Sequence, residues 1–85
     1  MSIPLETRYL YYIEAKLPDD KTWQQFTGCT ISTPRKPVDE FYTHCRIHFR
    51  KMPYLFRLAE NIQKKRKRFA TKKTFYYDLP IHTNL

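Results

Sequence analysis

The sequence is poor in the residues that build phosphate loops, disulfide frameworks and membrane spans. It contains one glycine and two cysteines among 85 residues. The single glycine excludes a glycine-rich phosphate loop, and Cys29 and Cys45 allow one disulfide at most. The opening residues lack the apolar segment of a signal peptide, and no apolar run approaches the ~20 residues of a membrane helix. These absences predict an intracellular chain with reduced thiols, either cytoplasmic or, in a eukaryotic or viral setting, nuclear.

Acidic residues are nearly absent from the second half of the chain. Residues 46–85 contain eleven lysines and arginines but only two acids, Glu60 and Asp78, whereas residues 1–45 contain five cations and six acids. Seven of the eleven cations lie in the ten-residue window 64–73. Because so many like charges repel one another unless an anion is near, this window predicts an anionic partner. The lack of a long apolar run predicts no membrane partner.

Hydrophobic periodicity predicts three strands and two helices. Residues 8–17 alternate as a half-buried strand, and residues 22–33 are rich in Thr, Trp, Phe and Ile, as expected for a return strand. Helical spacing of apolar residues follows over 37–52, and a second helix is predicted to begin near residue 54 and to continue through the basic run. Residues 71–81 then alternate again as a third strand.

These elements predict one small α+β domain over residues 1–85. The expected order is β-β-α-α-β, with a three-stranded, mostly antiparallel sheet and the helices packed on one face. The termini, residues 1–6 and 82–85, are expected to be loose.

The basic run is the main candidate site. On a helix, consecutive cations spread around the axis, which suits a segment lying along a phosphate backbone. The alternatives are a solubilising helix end or a chance match to a nuclear-import signal. The residues predicted to contact a nucleic acid or an acidic partner surface are Arg57, Lys64, Lys65, Arg66, Lys67, Arg68, Lys72 and Lys73.

Four aromatic residues form a second candidate set. Tyr12 and Tyr76 occupy the outward phase of their predicted strands, where they either stack on bases or, as the commoner outcome, pack against each other across strands. Tyr54 and Phe56 flank the apolar stripe of the predicted second helix, so they are candidate anchors for a protein partner.

Metal binding and catalysis have weak support. His44 and His48 lie at i and i+4 on the first predicted helix, a spacing that can chelate zinc, but Cys45 beside them reads as a core residue. The acids form no paired-carboxylate motif. The sequence therefore predicts no metal, no cofactor, no catalytic residue and no small-molecule substrate.

Composition and motifs together predict a small non-enzymatic basic module that contacts a nucleic-acid backbone, with DNA and RNA left open. The alternative is a small interaction or inhibitor protein, of the accessory kind found in phages and plasmids, that docks on a larger nucleic-acid-handling machine. A ribonuclease-type toxin with a histidine base is the third and weakest possibility.

Overall fold

A computed structural model describes residues 6–66 and 69–81 of the chain. The predicted loose ends at 1–5 and 82–85 therefore lie outside the described residues, whereas Glu6 already belongs to a strand. The elements in chain order are β1 (Glu6–Lys16), β2 (Gln24–Gln25), β3 (Thr30–Ser32), α1 (Val38–Phe49), β4 (Leu55–Arg66) and β5 (Phe69–Leu79).

All strands belong to one antiparallel five-stranded sheet, in agreement with the predicted α+β class. β1 and β4 are central, β5 forms one edge, and the short β2 and β3 both pair with the outer side of β1. The sheet is larger than the predicted three strands because the return strand is split and one predicted helix is a strand.

The predicted return strand pairs with β1 only at its two ends. Between β2 and β3, the backbone N–H groups of Phe26 and Thr27 donate to the Ile13 carbonyl at 2.7 and 3.2 Å. The Ile13 N–H in turn donates to the Thr27 hydroxyl at 2.9 Å. The segment therefore stays bonded to the edge of β1 although its own ladder is interrupted near Gly28.

The predicted second helix is wrong, because residues 55–66 form β4. The residues Leu55, Leu58, Ala59 and Ile62 satisfy helical spacing, but Phe56, Leu58 and Ile62 also satisfy the two-residue period of a strand. β4 pairs with β1 over residues 55–65 and with β5 over residues 56–66, so nearly all of its backbone donors and acceptors have partners. Tertiary pairing of this kind overrides the adequate helix propensity of the basic run.

α1 covers one face of the sheet, which is called the helix face below. Asp39 and Glu40 lie in its first turn, where they complement the positive end of the helix dipole. Its Phe41 ring lies 4.8 Å from the Tyr11 ring, and its Phe49 ring stacks on Phe56 at 5.1 Å. The buried core residues are Tyr11, Ile13, Ala15, Cys45, Phe56, Leu58, Leu79 and Ile81. Among the described residues, no helix is long and apolar enough to cross a bilayer.

The sheet extends well beyond the helix. Twelve residues of α1 span about 18 Å, whereas the eleven or twelve residues of each long strand span about 40 Å. The chain accordingly measures 54 × 25 × 18 Å, and its radius of gyration of 15.3 Å exceeds the ~12 Å of a compact domain of this length. The projecting part of the β4–β5 hairpin, residues 62–66 and 69–73, is called the arm.

Candidate nucleic-acid interface

The strand register brings cations from both halves of the basic segment together in the arm. Lys64 pairs with Thr71 and Lys65 with Ala70. Lys72 and Lys73 pair with residues 63 and 62, which precede Lys64 in β4. Because side chains alternate along a strand, Lys64 and Lys73 lie on the helix face, and Lys65 and Lys72 lie on the opposite, open face. All four are exposed. Lys67 and Arg68 lie outside the described residues, so contacts predicted for them stay predictions.

The described side chains of the arm form no buried core. None of its described side chains is buried, from Ile62 to Lys65 on β4 or from Phe69 to Lys73 on β5. On its flank, Glu6 of β1 pairs in register with Lys65 and bonds Arg8 at 2.7 Å. The arm is thus a cationic ribbon, flanked by residues 6–9 of β1, that is held by backbone hydrogen bonds on both sides of β4 rather than by burial.

Phe69 is an exposed aromatic that the sequence reading missed. Helical spacing assigned it to an apolar stripe, but as the first residue of β5 it lies in the arm and is 77% exposed. It pairs in register with Arg66. Its exposed ring therefore lies in the same part of the sheet as the lysines of the arm.

Arg57 lies apart from the arm. It is eight residues from Lys65 along β4, which corresponds to about 27 Å. Its guanidinium donates to the Glu14 carboxylate at 2.7 Å and lies over two aromatic rings, 4.4 Å from Trp23 and 3.9 Å from Tyr76. With its side chain only 22% exposed, Arg57 organises the open face of the core rather than extending the cationic ribbon.

Tyr12 and Tyr76 lie in one row of the open face, on either side of Ala59. Register pairs Ala59 with Tyr12 on β1 and with Tyr76 on β5. α1 lies on the other face, yet Ala59 is fully buried, so neighbouring side chains such as these tyrosines cover it. Burial and the nearby Glu14 carboxylate raise the pKa of Tyr12. Tyr76 is still half exposed, so the two rings combine cross-strand packing with an accessible aromatic surface.

The structure places the two candidate anchor residues toward the core. Phe56 is 3% exposed and makes an edge contact with Phe26 at 5.4 Å. Tyr54 is half-buried, with its ring centre 6.0 Å from that of Phe26. Both residues were predicted to rim an exposed patch of a helix. Neither occupies such a patch, because the helix that defined it does not form.

A buried carboxylate on the helix face was not predicted at all. Glu60 is fully buried, and Arg35 bonds both of its oxygens, at 2.9 and 3.0 Å. The hydroxyls of Tyr11 and Tyr77 donate to the same carboxylate at 2.9 and 3.1 Å. The Tyr11 hydroxyl also accepts the Lys36 N–H at 2.8 Å. These bonds fasten the segment before α1 to the centre of the sheet.

The ionisation of this cluster follows from its bonds. Burial alone would raise the pKa of Glu60, but the hydrogen bonds from Arg35, Tyr11 and Tyr77 together hold it below its usual value. Burial raises the pKa of Tyr11 to about 12, and the hydrogen bond to Glu60 adds to that effect. The cluster is therefore a fully bonded anion among donors, as expected of a structural anchor.

The histidines and cysteines form no metal centre within the described ranges. The rings of His44 and His48 lie with their centres 4.4 Å apart and tilted by 46° on the exposed side of α1. In those ranges, no group of three or more His, Cys, Asp or Glu residues is placed to hold a metal ion. Cys45 is fully buried, as its assignment to the core predicts, and Cys29 is exposed.

We expect the two thiols to react very differently. Burial raises the pKa of Cys45 to about 11, which suppresses its nucleophilic thiolate, whereas solvent reaches Cys29 freely. Treating the native protein with iodoacetamide at pH 8 and weighing it by mass spectrometry will show one adduct, on Cys29. In denaturant both cysteines will be modified. Equal labelling of both thiols in the native protein would contradict the assigned burial.

Comparison with protein-family models, with curated proteins and with solved structures finds no match to this chain.

Proposed function

We propose that this protein is a non-enzymatic nucleic-acid-binding module whose arm contacts the phosphate backbone. The observation that carries the proposal is the arm itself, which projects beyond the core without burying a described side chain and is cationic on both faces. A segment with no core to stabilise it is better explained by a partner than by the fold. The chain carries a net charge of +8, which favours an anionic partner at long range.

The arrangement of the lysines suits a backbone rather than a base sequence. Lys64 and Lys73 on one face and Lys65 and Lys72 on the other reach phosphates on both sides of the ribbon. Lysine ammonium groups are flexible point charges that position a protein on a nucleic acid without reading its bases. Phe69 and Tyr76 add exposed rings, and a base stacked on such a ring contributes about 1–3 kcal/mol.

The affinity for nucleic acid is expected to fall steeply with salt. Each phosphate that a lysine or arginine neutralises releases condensed counterions, so four to seven contacts give a log–log slope of roughly −4 to −6 on duplex DNA. Fluorescence anisotropy with labelled oligonucleotides of unrelated sequence, between about 0.05 and 0.2 M salt, measures this slope. Duplex and single-stranded DNA and RNA of equal length, compared in the same titration, will identify the preferred form.

A slope near zero would exclude direct backbone binding and favour an acidic protein partner instead. Affinity purification from the native cell with and without nuclease separates the two possibilities. Retention of nucleic acid that nuclease abolishes supports the proposal. A protein that remains bound after nuclease treatment supports docking on a larger machine.

A further inference from the structure

The two edges of the sheet differ in how their backbone groups are paired. The outer side of β1 is covered by β2 and β3 and by the hydrogen bonds of Phe26 and Thr27 to Ile13. β5 pairs with β4 on one side, and no described strand pairs with its other side. Its eleven residues, about 37 Å in length, therefore leave a row of backbone donors and acceptors open to another strand.

Charges are ordered along this free edge. Lys72 and Lys73 lie toward one end of β5 and Asp78 lies toward the other. Lysines on an edge strand normally oppose pairing with another chain. They favour pairing, however, when an antiparallel partner brings an acid opposite them, and an antiparallel copy of the same strand does so.

We propose that two copies of this chain pair antiparallel through β5, about a twofold axis at Phe75. That register places Lys72 of each copy opposite Asp78 of the other, on the open face. On the helix face it places Lys73 opposite Tyr77 and Phe75 opposite its own counterpart. Both open faces then lie on one side of a continuous sheet, with the two arms pointing in opposite directions.

Neighbouring registers are less complementary. An axis at Lys73 would set Lys73 against itself, and like charges directly opposite are destabilising. An axis at Thr74 would set Asp78 opposite Ala70 and leave no ion pair between the copies. Sliding one β5 strand by a single residue would place the axis between two residues and turn one copy over, so that its helix would lie on the opposite side of the sheet. Only registers with the axis at a residue keep both helices on the same side.

The decisive experiment is a charge exchange measured by sedimentation equilibrium, on protein freed of nucleic acid by nuclease and a high-salt wash. Wild-type protein is expected to form dimers between micromolar and submillimolar concentration. Lys72→Asp and Asp78→Lys each set like charges opposite each other twice per dimer, so each is expected to weaken dimerisation by about tenfold. The double variant Lys72→Asp/Asp78→Lys restores both ion pairs and is expected to recover the wild-type constant.

Wild-type protein that stays monomeric would overturn the proposal, and so would a double variant as weak as the single ones. Circular dichroism on each variant checks that the fold is retained, which is expected because Lys72 and Asp78 are exposed. Asp78 lies opposite Arg57 of β4, so Asp78→Lys also sets two cations opposite each other within one chain, and Lys72→Asp is the more direct single variant. This test needs no nucleic acid, so its outcome is independent of the proposed binding function.

Disulfide trapping tests the register separately, in a Cys29→Ser background. Residues directly opposite on antiparallel strands have Cα atoms about 4.5–5.5 Å apart, within the range of a disulfide. Phe75→Cys is therefore expected to cross-link two copies under mild oxidation. Thr74→Cys, one residue from the axis, is the matched control and is expected to stay uncross-linked. A Thr74→Cys variant that cross-links as readily as Phe75→Cys would contradict the register.

Discussion

Replacing Lys64, Lys65, Lys72 and Lys73 by glutamine is expected to weaken nucleic-acid binding about 10³-fold near 0.15 M salt, and to reduce the salt slope by 3 to 4. The reason is that each lost phosphate contact removes about 0.9 from the slope, and the four contacts together account for three decades of affinity at that salt concentration. The thermal midpoint is expected to change little, because all four side chains are exposed and none belongs to the core.

A matched control removes the same charge from the opposite end of the molecule. Lys21, Arg46, Arg50 and Lys51 lie in the turn after β1, in the second half of α1 or just after it, near the end of the sheet far from the arm. Their replacement by glutamine lowers the net charge equally, so it is expected to slow association without removing arm contacts. Equal loss of affinity in the two quadruple variants would show that net charge alone, and not the arm, governs binding.

The largest effect on folding is expected at the ion pair of Arg35 and Glu60. Replacing Arg35 by alanine leaves a fully buried carboxylate with only two tyrosine hydroxyls as partners. Replacing Glu60 by glutamine leaves the Arg35 guanidinium without an anionic partner. That side chain is 53% exposed, so water can hydrate its charge. Because an uncompensated buried charge is the costlier defect, Arg35→Ala is expected to destabilise the protein more than Glu60→Gln, for which charged hydrogen bonds predict a loss of about 1–3 kcal/mol.

Acidification is expected to bring the stabilities of the two variants closer together. In the wild-type protein the pKa of Glu60 lies below its unfolded value of 4.5, so this carboxylate contributes stability above that pH and loses it as the pH falls through the folded pKa. Without Arg35, burial dominates and raises the folded pKa above the unfolded one. Protonation then relieves the buried charge, so the deficit of Arg35→Ala relative to wild type shrinks as the pH falls.

Urea denaturation of the wild type and both variants at pH 7 and pH 4 measures these differences as free energies of unfolding. Glu60→Gln is the control, because it has no titrating group at this position. Its deficit in free energy of unfolding relative to wild type is also expected to shrink at pH 4, because the wild type itself loses the contribution of Glu60. A deficit of Arg35→Ala that is equal at both pH values would show that Glu60 keeps its charge without Arg35.

The elements with a single consistent period were predictable from the sequence. The alternation in β1 and β5 and the helical spacing in α1 each fit one structure only, and the structure has these elements close to the predicted bounds. β4 was not predictable in this way, because its apolar residues fit both periods. Only its pairing with β1 and β5 decides between them, and the pairing with β1 joins residues as far apart in sequence as Glu6 and Lys65.

The candidate site was predictable in its charge and not in its shape. Counting lysines and arginines locates the basic segment whatever its secondary structure, but a helix would have spread these cations around an axis, whereas a hairpin divides them between two faces. The exposure of Phe69 depends on that same change of element. The bonding of Glu60 depends on Arg35, which is 25 residues away in sequence, so no local pattern contains it.

Because α1 covers only part of the sheet, local unfolding is expected to differ between the two ends of the sheet. Where the helix lies, a strand cannot leave the sheet without exposing the core. In the arm, where no described side chain is fully buried, separation costs mainly backbone hydrogen bonds. Local unfolding is therefore expected to begin in the arm at a free energy below that of global unfolding. A ligand that holds both strands of the arm suppresses this opening. Its observed binding energy is lowered by the cost of ordering the arm, and the bound hairpin is protected against local unfolding.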